Sequence, residues 1–205
     1  MIENHLRARG IHDAGILEAF AQTPRERFLR ARDVSQAYAD HPISIGHAQT
    51  ISQPYVVALM LQELGLRPEH RVLDVGAGSG YQTALLARLA GHVYAVERID
   101  ELTKRAAAVL ADLGIENVTL ATRDGSLGWP EHAPFDRIIC GAAAPDVPQS
   151  WIDQLAEAGK IVLPAGGPAV QTLIVLAKSG RGLQRRAFCD VRFVKLIGEQ
   201  GWDEK

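Results

Sequence analysis

From residue 72 onward, short apolar runs alternate with segments whose apolar residues recur every three or four positions. The runs lack the polar alternation of a strand that has one face in water, which predicts strands buried on both faces. Strands are predicted at 72–75, 93–96, 118–122, 135–140 and 161–163, and helices at 81–90, at 100–113 with Asp100 as cap, and from 148 to near 159. Strands that alternate with helices in this way indicate a parallel sheet.

The pattern differs at both ends of the chain. Apolar spacing predicts a helix over 11–20 that ends before Pro24, and a second one over 54–64 that ends at Gly65. Near the C-terminus, β-like runs joined by short turns predict antiparallel pairing. These runs are 172–176, 183–188 and 191–194. We therefore expect an α/β fold with a doubly wound, mainly parallel seven-stranded sheet, an antiparallel C-terminal strand and helices on both faces.

Length and charge narrow the class of protein. With 205 residues the chain fits a single domain, in which N-terminal helices and a loop (about 1–66) precede a sheet core (about 67–205). The net charge of -2 gives no basic footprint for a nucleic-acid partner. No apolar run fits a membrane span or a secretory signal, so we expect a cytoplasmic monomer. The spacing of cysteines and histidines predicts no metal site.

A glycine-rich turn follows the first predicted buried strand. It reads Asp74-Val75-Gly76-Ala77-Gly78-Ser79-Gly80. Three glycines within five residues let the backbone approach a ligand closely, and Glu97, after the next strand, can accept hydrogen bonds from a ribose diol. The G-x-G-x-G spacing and Asp74 point away from dinucleotides and towards S-adenosylmethionine (SAM). We expect Asp74, Gly76, Gly78, Ser79, Gly80 and Glu97 to bind this cofactor.

Two acidic positions have simpler alternative readings. Glu97 is either a ribose ligand or a surface acid paired with Arg98 or Lys104. Asp124-Gly125 follows the third predicted strand, where the carboxylate suits an adenine amino group, but Asp-Gly is also a common turn pair. The position of both acids at strand ends favours the cofactor reading.

Residues 38–53 form a long predicted loop that is rich in small and polar residues. Loops of this length in compact domains are usually functional or disordered. Ser52 stands two residues before Pro54, where a helix cap belongs, and spacing alone leaves open whether it is a cap or a functional hydroxyl. The four arginines at 25, 27, 30 and 32 are predicted to be a solvated face.

Seven segments carry a family pattern: Pro24–Phe28, Gly46–Pro54, Asp74–Tyr81, Val96–Arg98, Asp124-Gly125, Gly141–Pro145 and Val191–Val194. Together they resemble the protein-L-isoaspartate O-methyltransferase family over nearly the whole chain. It implies a Rossmann-like methyltransferase fold and transfer of a methyl group from SAM to the free carboxylate of L-isoaspartyl residues in damaged proteins and peptides. The methyl ester then collapses to a succinimide, which can reopen as normal aspartate.

The resemblance also implies roles for single residues. Ser52 would orient the substrate carboxylate, and the peptide would lie against Thr50, Ile51, Gln53, Val191 and Phe193. The chain departs from the family pattern at Arg123, where Gly is usual, at Lys195, where Pro is frequent, and at Ala48, where some relatives have Gly.

Other functions remain open from the sequence. A SAM-dependent methyltransferase of a different protein group or a small molecule would share the glycine loop. An NAD-linked oxidoreductase is disfavoured by the glycine spacing. A silent SAM-holding protein that reads peptides is disfavoured by the intact Thr50-Ile51-Ser52 segment.

Overall fold

The computed structural model describes residues 1–204. Its strands are β1 (Ile43–Gly46), β2 (Gln49–Ile51), β3 (Arg71–Val75), β4 (His92–Glu97), β5 (Val118–Thr122), β6 (Phe135–Cys140), β7 (Leu155–Gly166), β8 (Gln171–Ser179) and β9 (Gly182–Val191). Its α-helices are α1 (Ala14–Gln22), α2 (Pro54–Leu64), α3 (Tyr81–Leu89), α4 (Asp100–Asp112) and α5 (Gln149–Gln154). None of the helices in this range has the length and apolar character that a membrane crossing requires.

Seven strands form one sheet in the order β5-β4-β3-β6-β7-β8-β9. Strands β3 to β7 are parallel to one another, whereas β8 runs antiparallel to both β7 and β9. The predicted fold class is therefore confirmed. The strand order reverses at β3, which lies between β4 and β6, and ligands of such sheets bind at this switch point.

The central strands are buried on both faces, as their unbroken apolar runs predict. Val72 and Ile139 face one core cluster, which includes apolar side chains of α1 to α4. Leu73 and Ile138 face the opposite cluster, which contains Trp151 of α5. The sheet is thus held rigidly between two layers, and the loops at its edges inherit fixed positions.

Several predicted boundaries are wrong. The helix expected to run from 148 to near 159 is only α5, because Leu155 already pairs with Phe135 at the start of β7. Residues 192–194 do not continue the sheet beyond β9. Asp100 is not a cap but the first residue of α4, where its carboxylate binds Lys104 at 2.6 Å.

The predicted irregular stretch at 38–53 contains a hairpin. Strands β1 and β2 pair antiparallel around His47 and Ala48, whose φ angles are 52° and 55°. Two-residue hairpin turns require this left-handed conformation, which glycine or asparagine usually supplies. We call residues 43–53 the hairpin segment, since the three residues after β2 continue it to α2.

Candidate functional site

Three cavities lie side by side at the edge where β3, β4 and β6 end. The acid cavity is lined by Gln49, Val75, Gly76, Val96, Glu97, Arg98, Gly125, Ala142, Lys195, Leu196 and Ile197. The glycine cavity is lined by Thr50, Ile51, Ser52, Val57, Gly76, Ala77, Gly78, Ser79, Tyr81, Gln82 and Gly141. The groove, of about 340 Å³, is lined by Pro42, Thr50, Ser52, Gln53, Val56, Gly141, Asp190, Val191, Arg192, Phe193 and Val194.

The cavities share walls. Gly76 lines both the acid cavity and the glycine cavity. Thr50, Ser52 and Gly141 line both the glycine cavity and the groove. A molecule that spans the first two cavities therefore meets a molecule in the groove at Thr50, Ser52 and Gly141.

The glycine turn after β3 adopts conformations that other residues rarely reach. Gly76, Gly78 and Gly80 have φ angles of 79°, 55° and 87°. Gly80 lines none of the three cavities; a Cβ there would lie 3.0 Å from the Cβ of Ala106, so its role is close packing of α3 on α4. Gly76, Gly78 and Ser79 form the cavity walls that the sequence predicts.

Glu97 connects the end of β4 to the glycine turn. Its side chain is nearly buried, its Oε2 accepts the Gly78 N–H at 2.9 Å, and its Oε1 accepts the Ile99 N–H at 3.0 Å. The alternative reading as a paired surface acid is wrong, because Arg98 binds Glu204 and Lys104 binds Asp100. The carboxylate is fixed against the acid cavity with lone pairs left to accept from a ligand.

Asp74 lies behind the cavities. It is fully buried, and its oxygens accept hydrogen bonds from Gln82 Nε2 at 2.8 Å and Thr83 Oγ1 at 2.6 Å. Burial raises the pKa of this carboxyl from 3.8 to about 6. Asp74 is not among the residues that line the three cavities; it holds Gln82, which lines the glycine cavity.

Asp124 is engaged by the protein itself. Its Oδ1 accepts from the N–H and the hydroxyl of Ser126, at 2.8 and 2.7 Å, and its Oδ2 accepts the Glu199 N–H at 2.9 Å. Of the predicted pair, Gly125 lines the acid cavity and Asp124 does not. The Asp124 carboxylate therefore stabilises the turn at Asp124-Gly125, as the alternative interpretation of this pair expects.

The hairpin segment presents Thr50 and Ser52 to the shared wall. Ser52 does not cap α2, because Gln53 is at the cap position and Asp40 Oδ1 accepts the Tyr55 N–H at 3.0 Å. Gln53 is held by its amide, which donates to Asp40 Oδ2 at 2.8 Å. The cap reading of Ser52 is therefore wrong.

The remaining predicted residues, Ile51, Val191 and Phe193, line two of the cavities. Ile51 is buried and lines the glycine cavity, whereas Val191 and Phe193 form the far side of the groove. The Phe193 N–H donates to Gln171 Oε1 at 2.9 Å, which fixes the chain after β9.

Sequence reasoning missed the C-terminal wall of the acid cavity. Lys195, Leu196 and Ile197 reach it because the Ala143 N–H donates to Val194 O at 2.7 Å and the Leu196 N–H donates to Ala143 O at 2.8 Å. This segment has no hydrophobic period that reveals it. The run of small residues at 141–145, which carries part of the family resemblance, was the available signal, since Gly141 and Ala142 line the cavities.

The acid cavity and glycine cavity fit SAM on their own chemistry. Phosphate-binding glycine loops aim free backbone N–H groups at the ligand. Here the Gly78 N–H is taken by Glu97, while Val75, Val96 and Leu196 give the acid cavity apolar walls. A nucleoside cofactor without phosphate suits this arrangement.

Comparison with known proteins gives the same answer over the whole chain. The family model described as Protein-L-isoaspartate(D-aspartate) O-methyltransferase (PCMT) matches residues 1–201. A protein-L-isoaspartate O-methyltransferase of Koribacter versatilis is 49% identical over 98% of this chain and 91% of its own length. A protein-L-isoaspartate O-methyltransferase 1 of Syntrophobacter fumaroxidans is 45% identical over 99% of this chain and 95% of its own length.

Solved structures agree with the sequence relatives. A protein-L-isoaspartate O-methyltransferase superposes with a TM-score of 0.88 at 31% identity, covering 98% of this chain and 67% of its own. A putative one from Plasmodium falciparum, in complex with S-adenosyl-L-homocysteine, gives 0.83 at 30% identity and covers 96% of both chains. With its fold, its cleft and its relatives in agreement, the chain belongs to the protein-L-isoaspartate(D-aspartate) O-methyltransferase family.

Proposed function

We propose that this SAM-dependent enzyme carries out its family's reaction across the shared wall of Thr50, Ser52 and Gly141. It transfers the methyl group of SAM to the free carboxylate of L-isoaspartyl residues in damaged proteins and peptides, which starts their repair. SAM lies in the acid cavity and the glycine cavity, and the isoaspartyl segment lies in the groove. The observation that supports this assignment is that, within residues 1–204, the two sides of the cleft share these three lining residues.

Catalysis in this cleft is mainly positioning. When bound, SAM supplies a methyl group already activated by a positively charged sulfur. The substrate carboxylate is ionised at neutral pH, so the chain needs no general base. Alignment of two reacting groups contributes about 7–11 kcal/mol in well-oriented systems. Ser52 orients the carboxylate by donating its hydroxyl to one oxygen, and Thr50 stands beside it on the same wall.

Each cofactor residue then has a separate task. Glu97 accepts the ribose hydroxyls, and Gly76, Gly78 and Ser79 allow the close approach of the backbone. Asp74 acts through Gln82.

The peptide side is formed by the hairpin segment and the chain after β9. Val191 and Phe193 flank an extended peptide, whose backbone can pair with theirs as an added strand. Gln53, fixed by Asp40, faces the same groove. We further propose that the enzyme acts as a cytoplasmic monomer. It is proposed to have no nucleic-acid partner, because the net charge of -2 provides no basic surface for phosphates.

Ser52→Ala tests the assignment of the hydroxyl. We expect at least a tenfold loss of methyl transfer to an isoaspartyl peptide with SAM affinity unchanged, since the side chain acts on the substrate. Radiolabelled methyl transfer and calorimetry measure the two quantities, with the matched aspartyl peptide as the negative substrate. Ser44→Ala, in the same hairpin but outside the cavities, is the control.

The converse variant is Glu97→Ala, which should weaken SAM binding itself by tenfold or more.

Wild-type turnover in Ser52→Ala would contradict the role of its hydroxyl. Unchanged SAM affinity in Glu97→Ala would contradict the ribose assignment. Methylation of both peptides alike would favour a methyltransferase of a different protein group.

A further inference from the structure

One of the four N-terminal arginines is not on the solvated face that the sequence predicts. Arg25 is completely buried, whereas Arg27 is exposed and pairs with Asp112. Burial of a cation is costly unless the cation is paired and fully hydrogen-bonded. The position of Arg25 therefore needs an explanation beyond solubility.

Arg25 contacts the hairpin segment from behind. Its Nη2 donates to the carbonyl oxygen of Ser52 at 2.8 Å, and its guanidinium carbon lies 4.8 Å from the ring centroid of Tyr81. Tyr81 is the first residue of α3, directly after the glycine turn, and it lines the glycine cavity. Arg25 thus joins the residue that faces the substrate to the helix that begins beside the cofactor.

The guanidinium has few other partners. Its Nε and Nη1 have none within residues 1–204, and it makes no salt bridge there. Burial lowers its pKa. An apolar side chain of similar volume is often as stabilising as a buried charge, so the fold alone does not account for an arginine here.

Two other arginines hold the same segment at a distance from the shared wall. Arg30 Nη2 donates to Ser44 O at 3.0 Å, and Arg105 Nη1 donates to Ile45 O at 2.9 Å. Both acceptors belong to β1. Of these three arginines, only Arg25 donates to Ser52, which lies between the cavities for the cofactor and the groove for the peptide.

We infer that Arg25 is a positioning residue for methyl transfer: by holding the Ser52 carbonyl it fixes the Ser52 backbone, and hence the hydroxyl that orients the substrate carboxylate. Arg25 lines none of the three cavities, so it does not form an ion pair that would quench the nucleophile. The inference rests on the proposed role of Ser52.

The test is a double-mutant cycle between Arg25 and Ser52, with both residues studied in the full chain. Arg25→Lys keeps the charge but loses the planar fork of donors, and Arg25→Met keeps the volume and loses the charge. We expect each to lower kcat for an isoaspartyl peptide at least tenfold, with SAM affinity within twofold. When Ser52 is already alanine, the same two substitutions at Arg25 should lower kcat by a further factor of less than two.

The controls separate positioning from folding. Calorimetric stoichiometry with SAM gives the fraction of folded enzyme to which kcat is normalised. Arg30→Gln, which removes the comparable bond to Ser44, should keep wild-type kcat.

If Ser52→Ala is impaired and Arg25→Lys lowers kcat equally in the wild type and in Ser52→Ala, the role of Arg25 is overturned while that of Ser52 stands. Wild-type kcat in Arg25→Lys would have the same consequence. Wild-type turnover in Ser52→Ala would instead remove the role of the Ser52 hydroxyl, and with it the route by which Arg25 acts.

Discussion

Three carboxylates follow or lie within neighbouring strands, yet their surroundings give them different tasks. Glu97 faces the acid cavity, Asp124 accepts two bonds from Ser126 and one from the Glu199 N–H, and Asp74 is buried beneath the glycine turn. The residue type alone does not distinguish them. Their surroundings do: Glu97 and Asp74 each accept two protein hydrogen bonds, but only Glu97 lines a cavity, whereas Asp124 accepts three.

Asp74 should make stability depend on pH. Its folded pKa of about 6 lies above the ordinary 3.8, so folding favours the protonated form. The stabilisation is fully present below about pH 4 and is lost as the pH rises through about 6, a change of about 3 kcal/mol at most for a two-unit shift. Urea unfolding at several pH values without SAM measures it.

The matched variant is Asp74→Asn, which cannot titrate. As the pH rises from about 4 to 7, the unfolding free energy of the wild type should fall relative to that of this variant. A difference that stays constant over that range would contradict the raised pKa.

At the scale of elements, the hairpin turn carries conformational strain. His47 and Ala48 both adopt left-handed φ angles without being glycine. The left-handed conformation costs alanine about 1–2 kcal/mol. Replacing alanine by glycine would remove this cost, but glycine makes the unfolded chain more flexible, which offsets part of the gain. Ala48 is therefore a local weakness of this chain.

Ala48→Gly should raise the free energy of unfolding by about 0.5–1 kcal/mol. Chemical denaturation checks it. The same substitution at exposed Ala107, inside α4, should lower stability by about 1 kcal/mol. If the two changes had the same sign, the assigned conformation of the turn would be wrong.

The elements differ in how well the sequence reveals them. The sheet was predictable because buried parallel strands are apolar without interruption, and the glycine turn because Gly76 and Gly78 mark positive φ directly. The hairpin was not, since Ala48 carries no such mark. Arg25 was hidden among exposed arginines, and only the tertiary contacts of its guanidinium distinguish it.

At the scale of the whole molecule, the end of the chain returns to complete the cofactor side. Leu196 packs beside the acid cavity, and Gly198 lies against Asp124, so close that a Cβ on it would be 2.0 Å from Asp124 Oδ1 and 2.6 Å from Ser126 Oγ. Residues more than seventy positions apart therefore fix each other at the cavity wall. This part of the site arises from tertiary folding and has no local sequence pattern.

Gly198→Ala should accordingly displace this segment. We expect a loss of about 1–3 kcal/mol of stability, typical of overpacking, together with weaker SAM binding. Thermal unfolding and calorimetry measure both effects. Gly180→Ala, in the turn between β8 and β9 where a Cβ meets no atom within 4 Å, is the control and should leave SAM affinity unchanged. Equal SAM affinity in both variants would exclude the C-terminal segment from cofactor binding.

The way the cleft is partitioned limits how such an enzyme can diverge. Thr50 and Ser52 lie where the two sides meet, so a mutation there acts on the transfer step itself. Residues 190–194 border only the groove. Evolution can therefore retune which damaged sequences are repaired by varying that stretch, while the transfer chemistry stays untouched.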